Sequence, residues 1–305
     1  MRILVTPRSM TAAGLASVPE LEPLRDRGWD LVASPAGRLP SEDELVALLP
    51  GVDGWLAGVE KVSARAIGSA DRLRVISRNG VGADAVDLAA AESAGVAVVL
   101  ARGANSRGVA ELALALALSC LRDLPRSNAA MHGGGWERTL GREMPDITLG
   151  LVGYGAIGRL VGGFATALGA RVLAFDPFTP VEGAEPSTLE QVFANADVIS
   201  LHSPPPADGS PLVTRELLST TRAGAVLVNT ARSALVDDAA VLEALDSGRL
   251  SAYAVDAFDT EPPELTPLLR HPRTVMTPHL GGYTAASTRR ATEQSVANLI
   301  ATLEG

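Results

Sequence analysis

Three polar residues stand just past apolar runs in the second half of the chain, and each has a side chain that chemistry on a small anion would need. Arg232 follows Val226-Leu-Val-Asn-Thr230-Ala, Glu261 follows Ala254-Val-Asp256-Ala-Phe-Asp-Thr, and His279 follows Thr274-Val-Met-Thr-Pro278. A carbonyl that receives a hydride gathers negative charge on its oxygen, and a positioned imidazolium can supply the quenching proton. A carboxylate on the other ring nitrogen fixes the tautomer and stabilises the charged ring. A guanidinium is a planar, permanently charged fork that grips a carboxylate through two hydrogen bonds, which lysine does poorly. His279, Glu261 and Arg232 suit these three roles in the reduction of a 2-keto acid. A lone histidine after proline is usually a surface residue, so the weight lies on the three occurring together.

The elements that must position them are legible around Thr148-Leu-Gly-Leu-Val-Gly153-Tyr154-Gly155-Ala156-Ile157-Gly158-Arg159. An apolar strand ends at Val152, the chain turns on glycines, and an amphipathic helix continues through Leu168. Free N–H groups and the positive end of that helix form a cradle for a pyrophosphate, and Gly158 lets helix and strand lie close. A second apolar run, Arg171-Val-Leu-Ala-Phe-Asp176, ends in an acid roughly 20 residues beyond the glycines, where a ribose needs an acceptor for its hydroxyls. Further strands are expected at Val198–Leu201, Ala225–Asn229, Ala252–Val255 and Val275–Thr277. Arg232, Glu261 and His279 then lie past carboxyl ends of strands, on the edge that carries the glycine cradle.

Upstream, apolar runs at Ile3–Val5, Leu31–Ala33, Trp55–Ala57, Val75–Ser77 and Val96–Leu100 alternate with helical spacing over Leu15–Arg27, Ser41–Leu49, Ser63–Ala70 and Ala83–Ala94. Alternation of this kind makes a parallel sheet with helices on both faces. The fold class expected is therefore α/β, with two doubly wound parallel-sheet domains, one flavodoxin-like and one of Rossmann type. Loops after the first-domain strands, carrying Arg8, Lys61, Arg78 and Arg102, should line one crevice. The run Asn105–Cys120 reads as a helix apolar on nearly all sides, buried either in the core or against a second subunit.

At 305 residues the chain suits two domains, and its 47% apolar, 4% aromatic composition suits aliphatic parallel sheets. A net charge of −9 and a pI near 5.0 argue against nucleic acid or an anionic membrane as partner. One cysteine, Cys120, excludes an intrachain disulfide and points to a reducing, cytoplasmic home. No signal peptide is expected from the first residues, and the longest apolar run, Leu112–Leu121, is about half a bilayer span. The four histidines are scattered, so no metal site is expected.

Jointly, Gly153-Tyr-Gly155-Ala-Ile-Gly158, Asn229-Thr-Ala-Arg232-Ser-Ala-Leu-Val-Asp237, Asp256-Ala-Phe-Asp-Thr-Glu261-Pro-Pro and Thr277-Pro-His279-Leu-Gly-Gly282 resemble the NAD-dependent D-2-hydroxyacid dehydrogenases. Ser77-Arg-Asn-Gly-Val-Gly-Ala-Asp84 and Asn105-Ser to Glu111 extend the resemblance over nearly the whole chain, closest to phosphoglycerate dehydrogenases lacking their regulatory extension. The resemblance implies Arg232, Glu261 and His279 as catalytic residues. It implies NAD contacts from Gly153 to Gly158 and at Asp176, Thr230, Ala231, Asp256 and Gly282, with Asp256 at the nicotinamide carboxamide. Substrate contacts are expected at Arg78, Asn79, Gly80 and Arg8 together with Arg232. A discontinuous substrate-binding domain, 1–101 with 283–305, is implied around an NAD-binding domain of 102–282, as is a homodimer built partly on the helix after Asn105.

The activity expected is hydride transfer between NAD(H) and a small D-2-hydroxy acid or 2-keto acid, with or without a phosphate or phosphonate. Alternatives are a phosphite-type dehydrogenase on the same scaffold and an NAD(H)-sensing, corepressor-like binding protein. The acid at Asp176, with no arginine after it, favours NAD over NADP. Departures from the family pattern are Ser233 for a usual glycine, Ala85 for an asparagine, and Pro204-Pro-Pro206 for Pro-Leu-Thr.

Overall fold

The computed structural model describes residues 1–305, apart from the side chain at position 13. The chain divides into two compact units, Met1–Asn105 with Ala285–Gly305, and Ser106–Thr284. The junctions fall a few residues later than expected, because the Ala101 N–H bonds Gly80 O and the Arg290 Nε bonds Ala104 O, which ties that loop into the first unit.

The first unit is built on β1 (Arg2–Val5), β2 (Asp30–Ala33), β3 (Gly54–Ala57), β4 (Val75–Arg78) and β5 (Ala97–Leu100). These pair in parallel in the order β2-β1-β3-β4-β5. β3 and β4 are buried at every position, and β3 accordingly reads as an unbroken apolar run, while β4 starts apolar at Val75-Ile76 and ends in the polar Ser77 and Arg78. Leu4, Trp55 and Ile76 fill one side of the sheet; Ile3, Val5, Leu56 and Val75 fill the other, against Val296, Leu299 and Leu303 of the closing helix Ala285–Glu304. That helix is why the unit is discontinuous in sequence.

Local chemistry sets the shorter elements. Ser41 caps the helix Glu42–Leu48 in a reciprocal box with Glu44, and Ser63 caps Ala64–Gly68. The expected helix over Leu15–Arg27 is broken into Leu15–Ser17, Pro19–Leu21 and Glu22–Arg25, since Pro19 and Pro23 have no N–H to continue a long helix. Residues 83–94 give a helix only over Leu88–Ser93, started by Asp87, whose carboxylate accepts the Ala90 N–H.

The second unit carries β6 (Thr148–Val152), β7 (Arg171–Phe175), β8 (Glu185–Pro186), β9 (Val198–Leu201), β10 (Ala225–Asn229), β11 (Leu250–Val255) and β12 (Thr274–Met276). Their order is β12-β11-β10-β9-β6-β7-β8, all parallel. The two-residue edge strand β8 was not expected. The strand order reverses at β6, so a crevice opens between the carboxyl ends of β6 and β9. The helix Ser106–Leu121 buries Ala110, Ala113, Leu116, Ala117 and Leu121 in this unit's own core; Glu111 is exposed. No helix of the described residues is long and apolar enough to cross a membrane.

Leu299 is fully buried on the closing helix. Leu299→Ala should therefore destabilise the first unit by about 2–5 kcal/mol, read as a lower urea midpoint.

Candidate active site

At the end of β6 the chain turns on Gly153, which adopts φ +96°. A Cβ there would lie 2.6 Å from the carbonyl carbon of His202, and one at Gly158 would lie 2.2 Å from Gly153 O. Only glycine fits either position. The helix Ala156–Ala167 begins immediately after the turn, and open space surrounds Gly155 where a side chain would stand. Its first N–H groups are thus available to an anion.

Tyr154 is turned inward, its hydroxyl donating to Glu182 O at 2.6 Å, while its N–H donates to Asp176 Oδ2 at 2.7 Å. Asp176, just past β7, also accepts from the Phe178 and Thr179 N–H groups at 2.9 and 2.8 Å. Burial alone would raise its pKa; the three N–H donors outweigh it and hold the carboxyl below its usual range. It stands ionised beside the glycine turn.

Two buried hydroxyls at the carboxyl ends of β9 and β10, Ser203 Oγ and Thr230 Oγ1, have no hydrogen-bond partner in the protein. Buried polar atoms are rarely left unpaired. With the glycine cradle and an ionised acid at the neighbouring strand end, they fit a dinucleotide. Thr230 is among the cofactor contacts that the family resemblance implies. Ser203 is not, although its hydroxyl lies one residue before the triproline that removes the usual one. His202 beside it meets Ser200 Oγ through Nε2 at 2.9 Å, and burial pushes its pKa down to about 4, so the ring is neutral.

His279 and Glu261 come together: Nδ1 and Oε1 are 2.7 Å apart, with the side chains 53% and 43% exposed. This leaves Nε2 for a reacting group. His279 adopts φ +52°, a left-handed conformation costly for a residue with a Cβ. The loop around it is held by Asp256, 1% exposed, whose Oδ1 accepts from Thr277 Oγ1 at 2.6 Å and from the Leu280 N–H at 2.7 Å. Its Oδ2 accepts the Gly281 N–H at 2.8 Å. Both oxygens of Asp256, which the family resemblance places at the nicotinamide carboxamide, thus accept from the histidine loop, and Gly282 directly follows that clamp.

Arg232 ends a turn framed by Asn229, which is fully buried. Asn229 Nδ2 donates to Arg232 O at 2.8 Å and Oδ1 accepts the Ala231 N–H at 3.1 Å. Arg232 Nη1 bonds Ala231 O at 2.8 Å. Ser233, the departure from the family's glycine, bonds through its hydroxyl to Asp259 Oδ1, joining the Arg232 turn to the loop that ends in Glu261. Asn229 was missed as a positioning residue; its signal is an amide at the end of an otherwise apolar strand.

Four expected substrate contacts lie in the first unit. Arg8, read as a loop residue, opens the short helix Arg8–Ala13 and is exposed. Arg78 is the last residue of β4 and only 7% exposed; its Nε donates to Gly82 O at 3.2 Å. Asn79 follows it, its N–H on Ala57 O and its Oδ1 3.4 Å from Thr292 Oγ1, while the Gly80 carbonyl accepts the Ala101 N–H.

Comparison with known proteins agrees with this geometry. Residues 114–281 match the family model described as D-isomer specific 2-hydroxyacid dehydrogenase, NAD binding domain. A D-3-phosphoglycerate dehydrogenase of Mycobacterium tuberculosis is 39% identical over 260 residues, 83% of this chain and 49% of that protein. The chain thus spans about half the length of the mycobacterial relatives it matches. A hydroxypyruvate reductase of Thermotoga maritima is 36% identical over 257 residues, 82% of this chain and 84% of that protein. The solved structure of the TT0316 protein from Thermus thermophilus superposes with a TM-score of 0.88 at 36% identity, covering 100% of this chain and 97% of its own.

Gly158→Ala should push the cradle open and weaken NADH binding at least ~10-fold, about 1.4 kcal/mol, with the circular dichroism spectrum retained. Fluorescence titration with NADH reads the change.

Proposed function

The chain belongs to the D-isomer-specific 2-hydroxyacid dehydrogenase family, and from that membership we propose that it moves a hydride between NAD(H) and a small D-2-hydroxy acid or the matching 2-keto acid. The observation that carries the reading is the 2.7 Å contact between His279 Nδ1 and Glu261 Oε1, in loops that follow β12 and β11 of the sheet that also carries the glycine cradle. Bound NAD supplies or accepts the hydride, held by the Gly153–Gly158 turn, Asp176 and Thr230.

His279 holds the proton. With Nδ1 turned to Glu261, Nε2 donates to the substrate oxygen during reduction and receives that proton during oxidation. Glu261 keeps the ring in the tautomer that makes this exchange, and stabilises the imidazolium. Arg232 grips the substrate carboxylate, its turn made rigid by Asn229 and by the Ser233 hydroxyl. Ionised Asp176 accepts ribose hydroxyls and repels a 2′-phosphate, which supports NAD over NADP.

A homodimer is part of the same reading. Leu124, Met131, Trp136 and Leu140 are exposed, Trp136 by 79% and Leu140 by 98%, and all four follow the helix Ser106–Leu121. Burying such side chains against a second copy would remove a large apolar surface from water. The single cysteine suits a cytoplasmic protein, with Cys120 made inert by burial that pushes its pKa up to about 12.

Two measurements test the reading. NADH oxidation against a panel of 2-keto acids should fall as pH rises, because it needs protonated His279, and the reverse reaction should fall as pH drops. Parallel limbs in the two directions would remove His279 as the proton carrier. Arg232→Lys should lower kcat/KM for a keto acid by about 30- to 1,000-fold, the range expected when a paired charge contact of roughly 2–4 kcal/mol is lost.

A further inference from the structure

The ladder between β10 and β11 ends where the Asp256 N–H donates to Asn229 O at 3.1 Å. Past that bond the two segments leave the sheet with different tasks, Arg232 on one and Glu261 on the other. They are joined again farther out. The Ser233 hydroxyl, four residues after Asn229, donates to Asp259 Oδ1, three residues after Asp256. The two strand ends and the two turns thus form a closed ring, sealed by the ladder on one side and by this side-chain bond on the other.

Each end of the bond is tied to a reacting group by local contacts. Ser233 opens the short turn Ser233–Leu235, in which the Leu235 N–H donates to Arg232 O at 3.2 Å and the Val236 N–H to Ser233 O at 3.1 Å. On the other side Glu261 folds back over its own turn: Oε1 accepts the Phe258 N–H at 3.4 Å and meets His279 Nδ1 at 2.7 Å. Asp259 lies inside that turn, so displacing it displaces the carboxylate that orients His279. Partial burial first, and then the charges of Asp259 and Asp237, raise the Asp238 carboxyl above its usual range. Like charges therefore push Asp259 outward, and the Ser233 hydroxyl holds it. Ser233 is half-buried and Asp259 exposed, so water competes for the bond and its contribution to stability is small. What it supplies is a fixed spacing.

We propose that Ser233 and Asp259 are positioning residues, whose hydrogen bond sets the distance between the arginine that grips the substrate carboxylate and the Glu261–His279 pair that serves the substrate oxygen. The proposal rests on the dehydrogenase reading. Both residues act through their neighbours and take no part in moving the proton or hydride. The family's usual glycine at position 233 has no hydroxyl, so the tie comes with the departure at this position.

The test follows NADH-dependent reduction of a 2-keto acid by the full chain carrying Ser233→Ala, Asp259→Ala or both. Each single variant should lower kcat at least ~10-fold with KM within about twofold of wild type, because the acid still binds Arg232 but meets His279 out of line. The double variant should be no slower than the slower single one, as when two residues act through one bond. Ser233→Thr and Asp259→Asn keep a donor and an acceptor and should hold kcat within about threefold of wild type, a rescue that lost packing would not show. Full kcat in a folded alanine variant, additive losses in the double variant, or no rescue overturns the proposal. If Asp259→Ala does not fold, Ser233→Ala and Ser233→Thr decide it alone. If wild type turns over no keto acid, the dehydrogenase reading fails by itself, and NMR of the His279 imidazole, assigned by its absence in His279→Gln, decides this one. Loss of the hydrogen-bonded Nδ1–H resonance in Ser233→Ala with its retention in Ser233→Thr supports it. A resonance unchanged in Ser233→Ala, or lost in both, overturns it.

Discussion

The Asp256 carboxylate at the end of β11 accepts hydrogen bonds from Thr277, Leu280 and Gly281, and so fixes the loop in which His279 adopts a left-handed backbone. A buried carboxylate is costly unless several donors compensate it, and here three do. Their bonds in turn hold a histidine conformation that would otherwise relax. The 2.7 Å contact between His279 and Glu261 depends on this arrangement, because a shift of the loop would carry the ring away from its partner. Asn229 does the same for Arg232 one strand over. The candidate site is therefore supported by polar side chains that are themselves almost wholly buried, which keeps the exposed reacting groups in place.

A parallel sheet explains why these supports stand together. Every strand of the second unit ends on the same edge, so the polar residues after β6, β7, β9, β10, β11 and β12 collect there without a long loop. The reversal of strand order at β6 opens the space the glycine turn occupies. In the first unit the same rule brings Thr6, Glu60 and Arg78 to one edge from three neighbouring strands. Both assemblies follow from topology first and from side-chain chemistry second.

Much of this was legible before any coordinates. Strands β6, β7, β9 and β10 announce themselves as short apolar runs ending in a glycine, an acid, a histidine and an asparagine. Residues with a distinctive charge or a special backbone need, such as Gly158, Asp176, Glu261 and His279, stand out for the same reason. What stayed hidden depended on partners distant in sequence. Arg78 reads as an open cation because nothing near it in the chain reveals Glu60 across the strand pair. The clamp that Asp256 makes was hidden because its partners lie more than twenty residues on. The helix that Arg8 opens was hidden because its six residues are too few to show a period, and Leu15–Arg27 kept helical spacing through two prolines that interrupt the helix itself.

The closing helix bears on how the molecule is made. Leu299 and Leu303 complete the apolar packing under the first sheet, yet they are translated only after the whole of Ser106–Thr284. As the chain leaves the ribosome, the first unit must wait without Val296, Leu299 and Leu303 on one side of its sheet, where Met10, Leu21 and Leu24 also pack, while the whole of Ser106–Thr284 is translated. The second unit is contiguous and can fold as soon as its own residues emerge. Order of synthesis and order of folding are thus inverted: the part of the chain that is born first matures last, and a nascent chain stalled before residue 299 would expose Ile3, Val5 and Leu56 to chaperones and to other unfinished copies.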